Sequence, residues 1–118
     1  MYYKRIIKDN LRQYGQAVDV NDNGNSRRVW AVIESRRRKT KTLFEDNSDK
    51  AGQYYDDYYT YIGPADFDIT ALSDSAWFGF GGKRYMLVRS DAIEAAGEVV
   101  YFEGILKRIW EEEDVFTL

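Results

Sequence analysis

The chain has 118 residues, 44% hydrophobic and 31% charged, with a formal net charge of −3, which suits one domain around one hydrophobic core. It contains no cysteine and no histidine, which excludes a disulfide framework, thiolate nucleophiles, Ser-His-Asp relays and ordinary zinc sites. No apolar run approaches the length of a membrane span. The opening MYYKRIIKDN lacks the apolar stretch of a secretory signal, so the expectation is a product of a reducing cytoplasm with no membrane partner.

Taken in chain order, Tyr3, Ile7, Leu11 and Tyr14 recur at helical spacing among Lys4, Arg5, Lys8, Asp9 and Arg12. That spacing predicts an amphipathic helix over residues 1–15, stopped at Gly15. Beyond it the period changes. GQAVDV predicts a short strand, and NDNGNS has the residues of a turn. RRVWAVIESRR alternates, with Val29, Ala31 and Ile33 on one face and Trp30 and Val32 on the other. QYYDDYYTYI predicts a strand stopped by Gly63-Pro64, since Tyr, Thr and Ile favour sheets and a residue before proline leaves the helical region. DFDITAL is a further short alternating piece.

FGFGGKR, residues 78–84, poses the choice between a phosphate cradle and a turn. A phosphate loop needs a helix after it, so that a helix N-terminus meets the anion. Here the strand KRYMLVRS follows, so Gly81 and Gly82 predict a hairpin turn. A second hairpin joins KRYMLVRS to VVYFEGILKR through DAIEAAGE, with Gly97 at its turn. The last strand sets Val99, Tyr101 and Ile105 on one face and Val100, Phe102 and Leu106 on the other. Apolar content on both faces suits a barrel wall, and Gly104 predicts a bend or bulge. The fold class expected is mainly β: a small antiparallel β-barrel or sandwich with an N-terminal α-helix, in a single domain over 1–118. Residues 1–15 form the helix, 16–109 the β-barrel, and 110–118 an acidic C-terminal tail.

Two motifs imitate metal chemistry. Asp19, Asn21, Asn23 and Gly24 copy the start of a calcium loop, but the twelfth position is Trp30 rather than a bidentate glutamate. Asp66 and Asp68, two apart, would share one face of a strand and could pair as carboxylates; nothing else in the chain completes such a site. No catalytic residue, cofactor site or metal site is therefore expected.

Charge is segregated along the chain. Arg27, Arg28, Arg36, Arg37, Arg38, Lys39 and Lys41 face only Glu34 across residues 27–41. Glu45, Asp46, Asp49, Asp56, Asp57, Asp66, Asp68 and Asp74 face only Lys50 across 45–74. Opposite segments on one small domain either neutralise each other or register head-to-tail contacts between copies, which close into rings when the rotation allows. Arg36, Arg37, Arg38, Lys39 and Lys41 read either as a solvated loop or as a loop for DNA or an adjoining subunit. The tail EEEDVFTL places Val115, Phe116 and Leu118 after four acids, as a segment able to dock on a partner.

Three stretches give a family resemblance. YYTYIGPADFDIT, WFGFGGKRYMLVRSDAI and GEVVYFEGILKRI, over the C-terminal half, resemble the head completion (stopper) proteins of tailed bacteriophages and prophages. The resemblance implies a small β-barrel with no enzyme activity, assembled as a ring homo-oligomer in the head–tail connector. It implies a place between the portal or adaptor ring proteins and the tail-side proteins, around packaged DNA in its exit channel. The implied location is the head–tail interface of a virion made in the host bacterial cytoplasm. The alternative expectation is a small β-barrel nucleic-acid-binding module, with Arg36 to Lys41 along a backbone and surface tyrosines stacked on bases.

Overall fold

The computed structural model describes residues 2–35 and 58–110. They form one helix, α1 (Tyr2–Tyr14), and six strands: β1 (Gln16–Asp22), β2 (Asn25–Ser35), β3 (Tyr58–Pro64), β4 (Trp77–Phe80), β5 (Lys83–Ala95) and β6 (Glu98–Ile109). The strands close into an antiparallel barrel in the order β1-β2-β3-β6-β5-β4. Two three-strand meanders, β1 to β3 and β4 to β6, are joined along two seams. Tyr58–Pro64 runs against 101–107 at one seam, and Asp19, Val20 and Asn21 face Gly79, Phe78 and Trp77 at the other. Closure leaves no unpaired sheet edge in the ring of strands.

Alternation along the strands fills the interior. Val18 and Val20 from β1, Val29 and Ala31 from β2, Tyr61, Phe78, Tyr85, Phe102 and Leu106 form one buried cluster. At one end of the barrel the aromatic rings of Phe80 and Tyr85 stack with centroids 4.1 Å apart. Tyr59 meets both edge-on. Such pairs add about 0.5–1.5 kcal/mol each beyond their burial. The opposite end is covered by the β3–β4 connection, where Ile69 is buried and Phe67 and Leu72 pack against the cluster.

DFDITAL is not a strand. It folds into a turn and a single 3-10 turn over Ile69–Ala71, with Asp68 as its N-cap. Its alternation arises because Phe67 and Ile69 face inward over the barrel mouth, with no neighbouring strand to pair. The fourth strand is instead the short WFGF. The second hairpin is also tighter than DAIEAAGE suggests. β5 continues to Ala95, and only Ala96 and Gly97 turn the chain, both with positive φ. Gly104 itself pairs regularly, opposite Tyr61 and Ser90. One irregularity lies across from it, where Val88 is the extra residue between the pairs Leu87↔Leu106 and Arg89↔Ile105, and a second lies in β6 itself, where Val100 is the extra residue between Ile93↔Tyr101 and Glu94↔Val99. A Cβ at Gly104 would come within 2.9 Å of Leu87 and 3.1 Å of Ile69, so the glycine makes room for both.

The helix packs against β2, β3 and β6. Leu11 is buried and Ile7 half-buried, but Tyr14, expected on the same stripe, is exposed. It lies in the last turn, where the chain swings into β1. Gly15 ends the helix by close approach: a Cβ there would lie 2.6 Å from the Ala31 carbonyl oxygen of β2.

Candidate functional site

The sequence-predicted positions are dispersed. Arg36, Arg37, Arg38, Lys39 and Lys41 lie outside the described residues, as do Val115, Phe116 and Leu118. Gly81 and Gly82 form the β4–β5 turn, with φ of +61° and +76°, between the paired residues Phe80 and Lys83. A strand follows them, so no helix N-terminus faces this loop and the phosphate-cradle reading is set aside.

The carboxylate motifs resolve into local roles. Asp19 sits in β1 opposite Arg28 and accepts a 2.8 Å bond from its Nε. That bond holds the Asp19 carboxyl below the usual range against the opposing effect of desolvation, with Arg28's charge adding a smaller contribution. Asn23 and Gly24 turn the β1–β2 hairpin. Asp66 pairs with Lys8 of the helix at 3.0 Å, and Asp68 accepts from the Thr70 amide at 2.8 Å. Asp66 and Asp68 therefore do not share a strand face. Among the described residues no cluster of three or more acidic side chains could hold a metal ion.

Inside the barrel, the Tyr61 hydroxyl is fully buried and has no hydrogen-bond partner among the described residues. Its ring lies against Gly63, two residues along the same inward face, where a Cβ would come within 2.4 Å of the ring. Burial, and secondarily the Asp66 carboxylate, push this phenol well above its ordinary range, with Arg27 opposing. A phenol held neutral and closed off by Phe78, whose ring meets it edge-on at 5.3 Å, is a core group rather than an acid–base catalyst.

The outer wall carries a group of residues that neither a motif nor a charge run had singled out. Outward positions alternate with the core, so Arg84, Met86 and Val88 of β5 lie beside Lys107 and Ile109 of β6 and Tyr58 of β3. Met86, Lys107 and Tyr58 form one row across three strands, and Arg84 lies opposite both Gly79 and Ile109. The Trp77 indole lies across Gly79, and the Arg84 guanidinium sits 4.5 Å from the centre of that ring. Lys107 Nζ is 5.7 Å from the Tyr58 ring, and the Arg108 guanidinium is 3.6 Å from that of Trp110. Each such pair holds a cation over a ring and contributes about 0.5–1 kcal/mol at an exposed site. Met86, Val88 and Trp110 remain 43%, 51% and 55% exposed. The legible signal was the alternation in KRYMLVRS, where Arg84, Met86 and Val88 share the face opposite Tyr85 and Leu87.

This wall lies at one end of the barrel, where β5 begins and β6 ends. Lys83, Arg84, Lys107 and Arg108 are gathered there. The chain leaves the same end at Ser35 toward RRRKTK and at Trp110 toward EEED. The opposite end carries Asp22, Asp66, Asp68 and Asp74. The barrel thus has a basic, aromatic end and an end with more acids. No family model, curated protein or solved structure matches this chain.

Proposed function

We propose that this chain is a structural, non-enzymatic component of a phage head–tail connector, assembling as a ring of identical copies between portal or adaptor and tail-side proteins. The observation that carries the reading is the outer wall itself. A closed barrel offers no strand edge for association, so copies must meet through side chains. Met86 and Val88 are exposed on the strand that carries Arg84, Lys107 pairs opposite Met86, and Trp110 is exposed just past the end of β6. Methionine, tryptophan and arginine are the residues enriched at protein interfaces. The end-to-end difference in charge favours heterologous contacts, which build rings when they close. The sequence resemblance of the C-terminal half supplies the connector setting. The barrel interior is filled by side chains, so any DNA channel in this reading runs through the ring of subunits and not through a single barrel.

The test is sedimentation velocity without nucleic acid over a hundredfold range of concentration. A discrete, concentration-dependent oligomer is expected, and a strict monomer throughout overturns the reading.

The second reading, a nucleic-acid-binding module, draws on the cation–aromatic pairs at the basic end. Under it a monomer binds single strands, and log affinity falls with log salt by about 0.7 per phosphate contacted.

A further inference from the structure

We infer that the arm formed by β5 and β6 beyond the ring of strands takes an extended segment of another protein as an added strand, and that Asp91 selects a segment with lysine or arginine at the facing position. Such a joint is separate from contacts between copies and stands whether or not the ring forms.

The free edge follows from the register. β4 reaches only Lys83, Arg84 and Tyr85 of β5, and there the ring is closed. From Met86 to Ala95, β5 has β6 on one side and no described strand on the other. Among the described residues no backbone hydrogen bond from outside the sheet reaches this stretch, although the 3-10 turn Ile69–Ala71 passes near it. Ala95 and Glu98 flank a two-residue turn and so bond each other. Alternate residues of an antiparallel strand face alternate sides. The backbone groups of Ile93, Asp91 and Arg89 therefore face β6, and those of Glu94, Ala92 and Ser90 face outward. The extra residues Val88 and Val100 bracket the regular pairs from Arg89↔Ile105 to Ile93↔Tyr101. Arg89, Asp91, Ala92 and Glu94 are exposed. Three residues about 6.6 Å apart thus each offer an N–H and a C=O, as strand addition requires. Met86–Ala95 contains neither the proline nor the lysine that commonly blunts such an edge.

Charge defines what the added strand carries. Asp91 pairs directly opposite Glu103, and its ion-pair partner is the exposed Arg89 of its own strand, at 3.7 Å. Like charges in facing positions destabilise a ladder. An added strand sets one side chain beside Asp91 on the side away from Glu103, in a non-hydrogen-bonded pair, where side chains come closest. A lysine or arginine there offsets the two acids. Ile93, two positions along the same face, accepts an apolar neighbour.

A second copy does not fit this edge. Arg89 is the only cation in Met86–Ala95, so two antiparallel arms can match Asp91 with a cation only by pairing around Ser90. Ala95 of each would then face Tyr85 of the other, a place that Phe78 already holds. Copies still meet through side chains, and the edge is left for a different chain.

The experiment uses the full-length chain, read by NMR amide exchange, and a terminally blocked peptide, Thr-Val-Thr-Lys-Thr-Val-Thr, whose central lysine faces Asp91 in either direction. In the free protein the amides of Ser90, Ala92 and Glu94 are expected to exchange about a hundredfold faster than those of Arg89, Asp91 and Ile93. Equal protection means that the edge is already covered and overturns the inference. The peptide is expected to slow exchange of the outward set; no slowing at its highest soluble concentration overturns strand addition. Glutamate in place of the lysine is expected to weaken binding about fivefold, and the Asp91→Lys chain to reverse that preference. Equal binding of the two peptides, or a preference unchanged by Asp91→Lys, overturns the role of Asp91. If Asp91→Lys does not fold, Asp91→Asn decides, and the preference is expected to vanish. A peptide N-methylated at the two threonines beside the lysine loses its amides toward Ser90 and Ala92 and is expected not to bind. Binding as tight as the parent's would show charge attraction without backbone pairing and overturn the added strand.

Discussion

Tyr61→Phe is expected to make the protein more stable. The Tyr61 hydroxyl is fully buried without a partner among the described residues. A buried, unsatisfied polar group costs about 1–3 kcal/mol. Its removal leaves a gap smaller than a methyl group, and the ring keeps its edge-on contact with Phe78 at 5.3 Å. The net gain is about 1–2 kcal/mol. With 118 residues and an unfolding entropy near 2.1 cal/mol/K per residue, about 1 kcal/mol corresponds to roughly 4 °C. A rise in melting temperature of about 4–8 °C follows. The same hydroxyl carries a pH signature. Its folded pKa is raised by burial, so its contribution is constant below the ordinary tyrosine range near about 10. As pH rises past that value, the unfolded chain releases this proton while the folded chain keeps it, and stability falls. One tyrosine contributes about 1.4 kcal/mol per pH unit to that slope. Urea titrations between pH 9 and 11 therefore show a shallower alkaline decline in Tyr61→Phe than in the wild type. A variant that melts lower than the wild type, with an unchanged alkaline slope, refutes the reasoning: the hydroxyl would then have a hydrogen-bonded partner in solution.

Further outcomes can be checked by the same melts. Gly82→Val destabilises by about 1–2 kcal/mol, because its φ of +76° disfavours a branched side chain while the space around it is open. ATP or GTP leaves its melting curve and that of the wild type unshifted. Ala96→Asn stabilises by about 0.5–1 kcal/mol, since Ala96 holds a φ of +54° before Gly97 and Asn-Gly is the favoured pair for such a turn. Gly104→Val costs about 1–3 kcal/mol through crowding of Leu87 and Ile69. Arg36→Glu, Arg37→Glu and Arg38→Glu together leave the melting temperature within a few degrees if the run is the solvated loop its sequence suggests, because exposed charge pairs contribute about 0–1 kcal/mol each. Their effect appears in oligomer size or in the salt dependence of DNA binding, and an unfolded triple variant would show the run to be structural.

What could be read in the sequence depended on whether local chemistry and tertiary packing gave the same instruction. Over VWAVI they did: Val29 and Ala31 are inward, and Trp30 is outward. At Gly81-Gly82 the strand that follows was itself legible, so the turn could be told from a phosphate loop. Over DFDITAL they did not. Phe67 and Ile69 alternate as in a strand, yet a period of two records only which side is buried, and backbone pairing leaves no mark in side-chain identity. The disturbance expected at Gly104 was legible but not its place: the glycine gives room for Leu87 and Ile69, and the extra residues are Val100 further back in β6 and Val88 across the ladder. The outer wall was legible only in part, as the face of KRYMLVRS that carries Arg84, Met86 and Val88, and its neighbours were not. It joins residues from β3, β5 and β6, and only the register brings Tyr58, Met86 and Lys107 into one row.

That register also bears on how the proposed ring would be held together. In an open sheet the unpaired backbone is the strongest invitation to a second copy, and side chains act mainly to refuse it. Here the pairs Asp19↔Gly79, Val20↔Phe78 and Asn21↔Trp77 close the ring of strands, and that invitation is withdrawn. Specificity passes to what stands outward, in rows fixed by the ladders. Gly79 lets the Trp77 indole lie flat across the wall, and Arg84 rests on it. The position of one cation is thereby set by three residues on two strands. Gly79→Val is then informative: a Cβ would already lie 3.1 Å from the indole, so the ring must swing away and Arg84 loses its support. Folding should survive, since the change faces outward. On the proposed ring reading, association weakens nearly as much as in Arg84→Glu, although no charge has been altered. Wild-type assembly by a folded Gly79→Val chain would show that the wall needs the charge of Arg84 and not its placement.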